Sequence, residues 1–246
     1  MRDSLAMILR CIKRAYRNPD TYITAVVLPL MLYVLFTAVL GGAFVQGAQR
    51  ADHILPGILL TGIGYCAAAT GALVYQDASG GFIDRFLSMP VARHAFLAGH
   101  AAASLLKNAV AVACILLAAT AAGGAPHPTP AGACVAAVLL FGYALFVTCA
   151  SAVFGLVAKS AEGAGAFSFT VLFLPYLSSG FVSTETMARP LRTFAHRQPL
   201  TPIADSVRAA LSGAPNPRLG EALLWLIACT ALFGMLAARL VTRRRV

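Results

Sequence analysis

The sequence predicts an all-α polytopic membrane protein with six transmembrane helices, and three observations lead to this fold class. Hydrophobic residues make up 59% of the 246 residues and charged residues only 11%, whereas a soluble domain carries roughly 25% charged residues. The mean hydropathy is +0.78. The apolar runs are long and continuous, unlike the short alternating segments of a membrane barrel, and a helix satisfies its own backbone polar groups in lipid.

Residues 1–20 are predicted to form an N-terminal helix with opposed apolar and basic faces. The apolar face carries Leu5, Ile8, Leu9, Ile12 and Tyr16, and the basic face carries Arg10, Lys13, Arg14 and Arg17. This pattern is typical of a helix that lies in the membrane interface. Asn18-Pro19 is expected to end it, because the residue before a proline disfavours helical geometry.

Two uncharged runs follow, and they predict the first span at 21–44 and the second at 54–75. Each is long enough for the roughly 20 residues that cross the hydrocarbon core. Residues 76–95 are polar by the standard of this chain. One helical face within them carries Phe82, Ile83, Phe86 and Met89. Pro90 ends this pattern, so we expect a short amphipathic helix in the cytoplasm.

The third span is predicted at 105–122, in a helix that extends backward into the cytoplasm toward Ala95. Lys107 lies near the start of the span. A lysine at the bilayer centre costs about 2.5–3.5 kcal/mol, so we expect its side chain to snorkel to the cytoplasmic edge. A turn rich in Gly and Pro separates this span from the fourth, at 130–157, and the fifth is predicted at 163–182.

Residues 183–219 are the longest polar stretch, the sixth span is predicted at 222–238, and a basic tail occupies 239–246. Most of the nineteen Lys and Arg residues then lie on the side of the two termini, so the positive-inside bias places both termini in the cytoplasm of a bacterial inner membrane. The five arginines of 183–219 run against this bias. We therefore expect an outer segment that folds back onto the membrane, where its arginines meet lipid headgroups.

The chain contains no motif that would carry chemistry of its own. The patterns GxxxxGK[ST], HExxH and GxSxG are absent, which excludes a P-loop ATP site, a zincin metal site and a serine-hydrolase elbow. No span carries a central acid, which argues against a proton relay. The six cysteines form no CxxC pair, so small buried hydrophobes are expected. We therefore expect no catalytic residue and no metal. We also expect no nucleic-acid partner, because the basic residues flank membrane spans.

Residues 75–100 carry the first of two resemblances to a known family. The matching positions are Asp77, Gly80 or Gly81, Asp84, Arg85, Phe86, Ser88, Pro90, Arg93 and Gly99. The segment resembles the cytoplasmic loop of ABC-2 type permeases of the daunorubicin-resistance branch, which export drugs and antibiotics. Many members have a Glu-rich start before the glycine, where this chain has Gln76, Ala78 and Ser79.

Residues 173–213 carry the second and more specific resemblance. The matching positions are Ser179, Phe181, Val182, Glu185, Thr186, Met187, Gln198, Pro199, Thr201, Pro202, Arg208, Ala209 and Leu211. They are similar to the signature that follows the fifth span in the same family. Chain length, six spans and the N-terminal interfacial helix also fit, so the resemblance covers nearly all of the chain.

The resemblance implies a permease that pairs with a separate cytoplasmic ABC ATPase subunit. Two permeases, expected to be a homodimer, and two ATPase copies would form one exporter in the membrane lipid. ATP and Mg would bind to the partner subunit, with no cofactor on this chain. Residues 82–89 would be a coupling helix that docks on the ATPase. The residues expected to couple to it are Asp77, Gly81, Phe82, Ile83, Asp84, Arg85, Phe86 and Pro90.

The resemblance also implies a substrate path between two permeases, lined by spans one, two and five. Aromatic residues of these spans that can contact an amphiphilic substrate are Tyr33, Phe36, Tyr65, Phe169, Phe173 and Tyr176. Aromatic side chains are also ordinary packing material, and both roles stay open at this point. The signature residues expected to build the outer segment are Glu185, Pro199, Thr201, Pro202 and Arg208.

We therefore expect the permease subunit of an ATP-driven exporter of a hydrophobic or amphiphilic drug, antibiotic or lipid. A permease for lipid-linked glycans shares the architecture and is the alternative within the fold. A secondary drug transporter, which uses no ATP, is the alternative from another class, although the lack of intramembrane acids and of an internal repeat argues against it.

Overall fold

The computed structural model describes residues 2–16, 19–35, 49–83, 94–121, 128–182 and 184–243, and within these ranges it contains helices and no strand. The α-helices are α1 (Arg2–Tyr16), α2 (Pro19–Val34), α3 (Gln49–Ala68), α4 (Thr70–Ser79), α5 (His94–Ala121), α6 (Pro130–Val157), α7 (Ala161–Phe173), α8 (Arg189–Arg197), α9 (Leu200–Ser212) and α10 (Leu219–Arg243). Two 3₁₀ turns, Leu174–Leu177 and Thr184–Thr186, lie between α7 and α8.

Four helical segments are long and apolar enough to cross a membrane. They are Ile54–Ser79, Ala95–Ala121, Pro130–Val157 and Leu219–Arg243. These segments overlap the second, third, fourth and sixth predicted spans, so the all-α polytopic class is confirmed. The helix that carries the third predicted span, α5, begins at His94, so its backward extension toward Ala95 is present.

The first and fifth predicted spans are less complete in the structure. Helix α2 covers the first part of the 21–44 span, and residues 36–48 lie outside the described residues. The apolar helix Ala161–Leu177 is shorter than the 163–182 prediction and shorter than the roughly 20 residues of a full crossing. The count of six spans therefore stays a prediction.

Local sequence explains where α6 and α7 begin. Thr129 caps α6, because its hydroxyl accepts a hydrogen bond from the Gly132 N–H at 3.1 Å, and Pro130 occupies the first turn. Ser160 caps α7 in the same way through Gly163, also at 3.1 Å. Capping hydroxyls accept hydrogen bonds from N–H groups that have no partner within the helix. Proline is favoured at the first position of a helix.

The segment Ile54–Ser79 is the centre of the molecule. Its two helices, α3 and α4, pack between them against α2, α5, α6, α7 and α9, and the side chains of Ile58, Leu59 and Ile63 are fully buried. Lipid tails are as apolar as leucine, so tight van der Waals packing rather than exclusion of water holds such helices together. The first turns of the chain pack against this assembly, with Met7 and Cys11 of α1 buried against α5.

Glycines allow the central span to approach its neighbours closely. A Cβ atom on Gly155 of α6 would overlap the carbonyl oxygen of Gly71 in α4, and one on Gly71 would lie 2.8 Å from the Ser151 carbonyl oxygen. The Ser151 hydroxyl also donates a hydrogen bond to the Ala67 carbonyl at 3.2 Å. Small residues and interhelical hydrogen bonds are the usual means of close packing in membranes, and both act at this crossing.

Two single-residue expectations differ from the structure. Lys107 is only 2% exposed and lies near the middle of α5, so its side chain is inside the protein and does not snorkel to an edge. The reason is that neighbouring helices cover this face of α5. Cys134 is exposed on α6 rather than buried, whereas Cys11 and Cys66 are buried as expected.

Candidate functional site

Asp77 is the centre of a cluster of charged side chains at the end of the second span. It lies in the last turn of α4 and is only 5% exposed. A buried carboxylate is stable when positive charges and hydrogen bonds replace the water it has lost. The chain supplies these from two other helices, α1 and α5.

Three basic side chains surround the Asp77 carboxylate. Arg14 Nη1 lies 2.6 Å from Asp77 Oδ1, and Arg10 Nη1 lies 3.3 Å from Oδ2. His100 Nε2 lies 3.1 Å from the same Oδ2. A carboxylate beside two guanidinium groups only accepts hydrogen bonds, so His100 Nε2 is the proton donor in this pair. Arg14 also donates to the Gln76 side-chain oxygen at 2.9 Å.

The chain reverses immediately after this cluster and contacts it again. Gly81 has a positive φ of 68°, which is accessible to glycine at little steric cost. Phe82 follows, and the Arg10 guanidinium lies 3.6 Å above the centre of its ring, a cation–π contact. Ile83 is fully buried in the same hydrophobic cluster as Met7 and Phe96. The start of the predicted coupling loop is therefore packed into the permease itself.

The predicted coupling residues divide into two groups. Asp77, Phe82 and Ile83 lie together, with Gly81 shaping the turn that joins them. Ile83 is 0% exposed, so in this conformation it anchors the loop and presents no surface to a partner. The remaining predicted residues, Asp84, Arg85, Phe86 and Pro90, lie outside the described residues. The assignment of this set to ATPase contact stays a prediction.

The cluster links four segments of the chain. It ties α1, the end of α4, the 80–83 turn and α5 to one carboxylate. In the part of the chain that the structure describes, no group of His, Cys, Asp and Glu side chains is arranged to hold a metal ion. Arg10 contacts both the Phe82 ring and the Asp77 carboxylate, so it connects the 80–83 turn with α1 and α4.

Sequence reasoning missed Arg10, Arg14 and His100 as partners of Asp77. The two arginines were expected on a basic face directed at headgroups, but both meet a carboxylate more than 60 residues away in the chain. A usable signal was present, because Asp77 follows a long uncharged span and is the first acid beyond it. An acid at that depth needs a cationic partner.

The aromatic residues predicted for the first two spans do not form one surface. Tyr33 is buried in the main hydrophobic core, which is a packing role. Tyr65 is partly buried on α3. Phe36 lies outside the described residues. The substrate role of these three residues stays a prediction.

The aromatic residues predicted near the end of the fifth span are better placed for contact with other molecules. Phe169 is 65% exposed and Phe173 is 61% exposed. The Phe173 ring lies 6.5 Å from the Tyr176 ring, and Tyr176 stacks on Phe181 with ring centres 4.5 Å apart. Phe169 and Phe173 thus form an outward aromatic pair. The Phe173 ring adjoins the stacked rings of Tyr176 and Phe181, and Phe181 belongs to the main hydrophobic core.

A second ionic cluster fastens the outer segment to the end of the fifth predicted span. Asp205 binds Arg208 at 3.0 Å, the local pair expected from their spacing, and Arg218 at 2.9 Å. The Ser179 hydroxyl donates to Asp205 at 2.6 Å, and Arg208 donates to the Ser179 carbonyl. Burial lowers the pKa of Arg208, and the Asp205 carboxylate acts in the opposite direction.

The other signature residues have structural roles beside this cluster. The Thr201 hydroxyl donates to the Ala195 carbonyl at 2.6 Å, which joins α9 to α8. Gln198 donates to the Leu177 carbonyl. Pro199 is the residue before α9, and Pro202 is buried in its first turn. Glu185 is exposed in the Thr184–Thr186 turn. Thr201 thus links two helices of the outer segment, and Gln198 links the segment to the 3₁₀ turn after α7.

Arg208→Gln is expected to loosen this outer segment. The change removes the ion pair with Asp205 and leaves the Ser179 carbonyl without its charged donor, and hydrogen bonds to charged groups contribute about 1.5–3 kcal/mol each. Thermal unfolding of the purified chain should show a lower midpoint, with faster protease cleavage near residues 183–199. Arg239→Gln, the same change at an exposed arginine near the end of α10, is the control. Equal midpoints for the two variants would contradict a fastening role.

Comparison with known proteins identifies the family of the chain. A model of the ABC-2 type transporter family matches residues 3–212, a range that includes both clusters except Arg218. Over 197 residues, which are 79% of this chain and 70% of the relative, the chain is 27% identical to the daunorubicin resistance ABC transporter permease protein DrrB1 of Streptomyces coeruleorubidus. The chain belongs to the ABC-2 type transporter family, as a multi-pass membrane component of such a transporter.

Proposed function

We propose that the chain is the permease subunit of an ABC exporter that moves a hydrophobic or amphiphilic drug, antibiotic or lipid out across the cytoplasmic membrane. The observation that carries this proposal is the Asp77 cluster, which joins the start of the cytoplasmic loop to three helices. The sequence has no phosphate-binding loop, so transport driven by ATP needs a separate ATPase. Such a transfer requires a connection between the cytoplasmic loop and the membrane helices, which the contacts of Asp77 provide.

The assembly that fits this proposal contains two permeases and two ATPase subunits. Family membership implies the ATPase as partner, and ATP and Mg bind there. Large apolar side chains point away from the chain on the first and fifth predicted spans: Val27, Met31, Val34, Phe169 and Phe173. These surfaces support a path between two copies of the permease, where an amphiphilic cargo would meet apolar walls.

The relative's name favours a drug as the cargo. Daunorubicin resistance is said of that protein, and we extend the drug class, not the individual compound, to this chain. A lipid-linked glycan would need a wide polar route, whereas the outward aromatic pair of Phe169 and Phe173 favours an apolar or aromatic molecule.

The proposal is tested by co-purifying the full chain with the ATPase encoded nearest to it and measuring ATP hydrolysis in nanodiscs. We expect a stable complex whose hydrolysis rate changes severalfold with one class of amphiphile. Absence of any complex with an ATP-binding subunit would overturn the proposal. Transport that continues without ATP and stops when the proton gradient is dissipated would instead establish a secondary transporter.

Phe86→Asp and Asp84→Arg are expected to uncouple the proposed exporter. An apolar side chain anchors a docked helix and a charge fixes its register, so each change should weaken ATPase docking and lower export at least threefold, with the permease still inserted. Export in vesicles and pull-down of the ATPase measure the two effects. Glu162→Arg reverses a negative charge as Asp84→Arg does, but at an exposed acid in another predicted cytoplasmic loop. This control should change neither ATPase binding nor export. Normal pull-down of the ATPase together with normal export would contradict the coupling assignment.

A further inference from the structure

Helix α8, Arg189–Arg197, carries basic side chains on one side and apolar side chains on the other. At 100° per residue, one side of the helix carries Arg189, Arg192, His196 and Arg197. The opposite side carries Leu191, Phe194 and Ala195. The predicted signature of the family does not include any of these residues, and the outer ionic cluster does not use them.

The apolar side of α8 is only partly covered by the protein. Ala195 is fully buried where α8 meets α9, but Leu191 is 47% and Phe194 48% exposed. The principal contacts of α8 are with the two preceding 3₁₀ turns and α9, and about half of each of these two side chains stays exposed. Two large apolar groups therefore extend outward from a helix that lies between the end of the fifth predicted span and the start of the sixth.

The basic side of α8 has no counter-charge in the described residues. Arg189, Arg192 and Arg197 are exposed, and none of them forms an ion pair there. The nearby acids are engaged elsewhere, since Asp205 binds Arg208 and Arg218, and Glu221 also binds Arg218. Glu185, the nearest acid in sequence, forms no ion pair with them either. Three guanidinium groups thus remain available at one surface.

We propose that α8 is an interfacial helix that binds the headgroups of anionic phospholipids in the adjacent leaflet. Leu191 and Phe194 would enter the boundary of the acyl chains, and the arginines would bind phosphate oxygens, for which the guanidinium fork is well suited. Opposed apolar and basic sides are the pattern of helices that lie in this interface. The proposal does not depend on what the transporter carries or on its energy source.

The test places a fluorescent reporter on α8 itself. Trp225 is the single tryptophan, so Phe194→Trp in a Trp225→Phe chain gives one signal from this helix. The full chain is reconstituted in nanodiscs that contain brominated phosphatidylglycerol or brominated phosphatidylcholine. Each basic residue near an anionic surface contributes about fivefold to affinity. We therefore expect quenching to show at least a fivefold preference for phosphatidylglycerol, reduced by 0.5 M salt through screening.

Two triple variants distinguish headgroup binding from general lipid contact. Arg189, Arg192 and Arg197 are all changed to Gln in one variant and to Lys in the other. The Gln variant is expected to lose the preference, to about onefold, while the Lys variant keeps most of it because the charge is retained. No preference in the parent reporter chain, or an unchanged preference in the Gln variant, would overturn the proposal.

Discussion

Asp77→Asn is expected to destabilise the permease and to lower its transport at the same time. The substitution keeps the shape of the side chain but leaves Arg10, Arg14 and His100 without their shared anion. Removal of one partner from a buried ion pair costs about 3–5 kcal/mol. We expect the low end, because the two arginine side chains are 37% and 33% exposed and water screens part of the effect. A loss of about 3 kcal/mol would lower the melting temperature by roughly 6–12 °C.

Transport gives the second measurement of the same variant. If the Asp77 cluster joins the cytoplasmic loop to α1 and α5, hydrolysis by the bound ATPase should lose most of its response to cargo. Glu162→Gln removes one negative charge from an exposed acid at the start of α7 and should change neither quantity. A melting temperature within about 1 °C of the parent's would contradict the proposed importance of the cluster.

A double-mutant cycle separates the ion pair from other effects at the site. Arg14→Gln alone should be costly, but Arg14→Gln added to Asp77→Asn should cost less, because the pair is already broken. Residues that interact directly show coupling energies of about 0.5–3 kcal/mol. Strict additivity would mean that the 2.6 Å contact between them contributes nothing to stability.

The membrane spans could be predicted where local sequence determines both ends. The fourth predicted span, 130–157, coincides with α6, Pro130–Val157, because Thr129-Pro130 starts the helix and a run without charge sustains it. The fifth could not be predicted so well. Apolar residues continue past Phe173, but Pro175 lies in a 3₁₀ turn and the chain leaves helical geometry at Ser178. Hydropathy does not distinguish apolar helix from apolar turn.

The candidate site was harder to predict because its contacts join distant parts of the chain. Helical spacing placed Arg10 and Arg14 on one face of α1, but spacing does not say which distant acid that face meets. It also placed Ile83 beside Phe86 on an apolar face, without revealing that Ile83 is buried within the permease. The outer ion pair of Asp205 and Arg208 could be predicted, because the two residues are one helical turn apart.

Gly155→Ala is expected to disrupt the crossing of α4 and α6, the second large effect. The new methyl group would overlap the Gly71 carbonyl oxygen, and a backbone atom inside a packed helix cannot rotate away as a side chain does. The helices must therefore separate, which also stretches the hydrogen bond from Ser151 to the Ala67 carbonyl. Overpacking of this kind costs about 1–3 kcal/mol. Thermal unfolding and the monodisperse fraction after size-exclusion chromatography measure the loss.

Gly165→Ala is the matched control, because a Cβ on this α7 residue would have no atom beyond its own stretch of helix backbone within 4 Å. Alanine favours a helix interior over glycine by about 1 kcal/mol, so this variant should be as stable as the parent or slightly more stable. Gly155→Ala gains the same helical preference and is still expected to lose stability. The same substitution should thus change stability in opposite directions at the two positions. An equal effect at both would mean that the α4–α6 backbone contact does not hold the span in place.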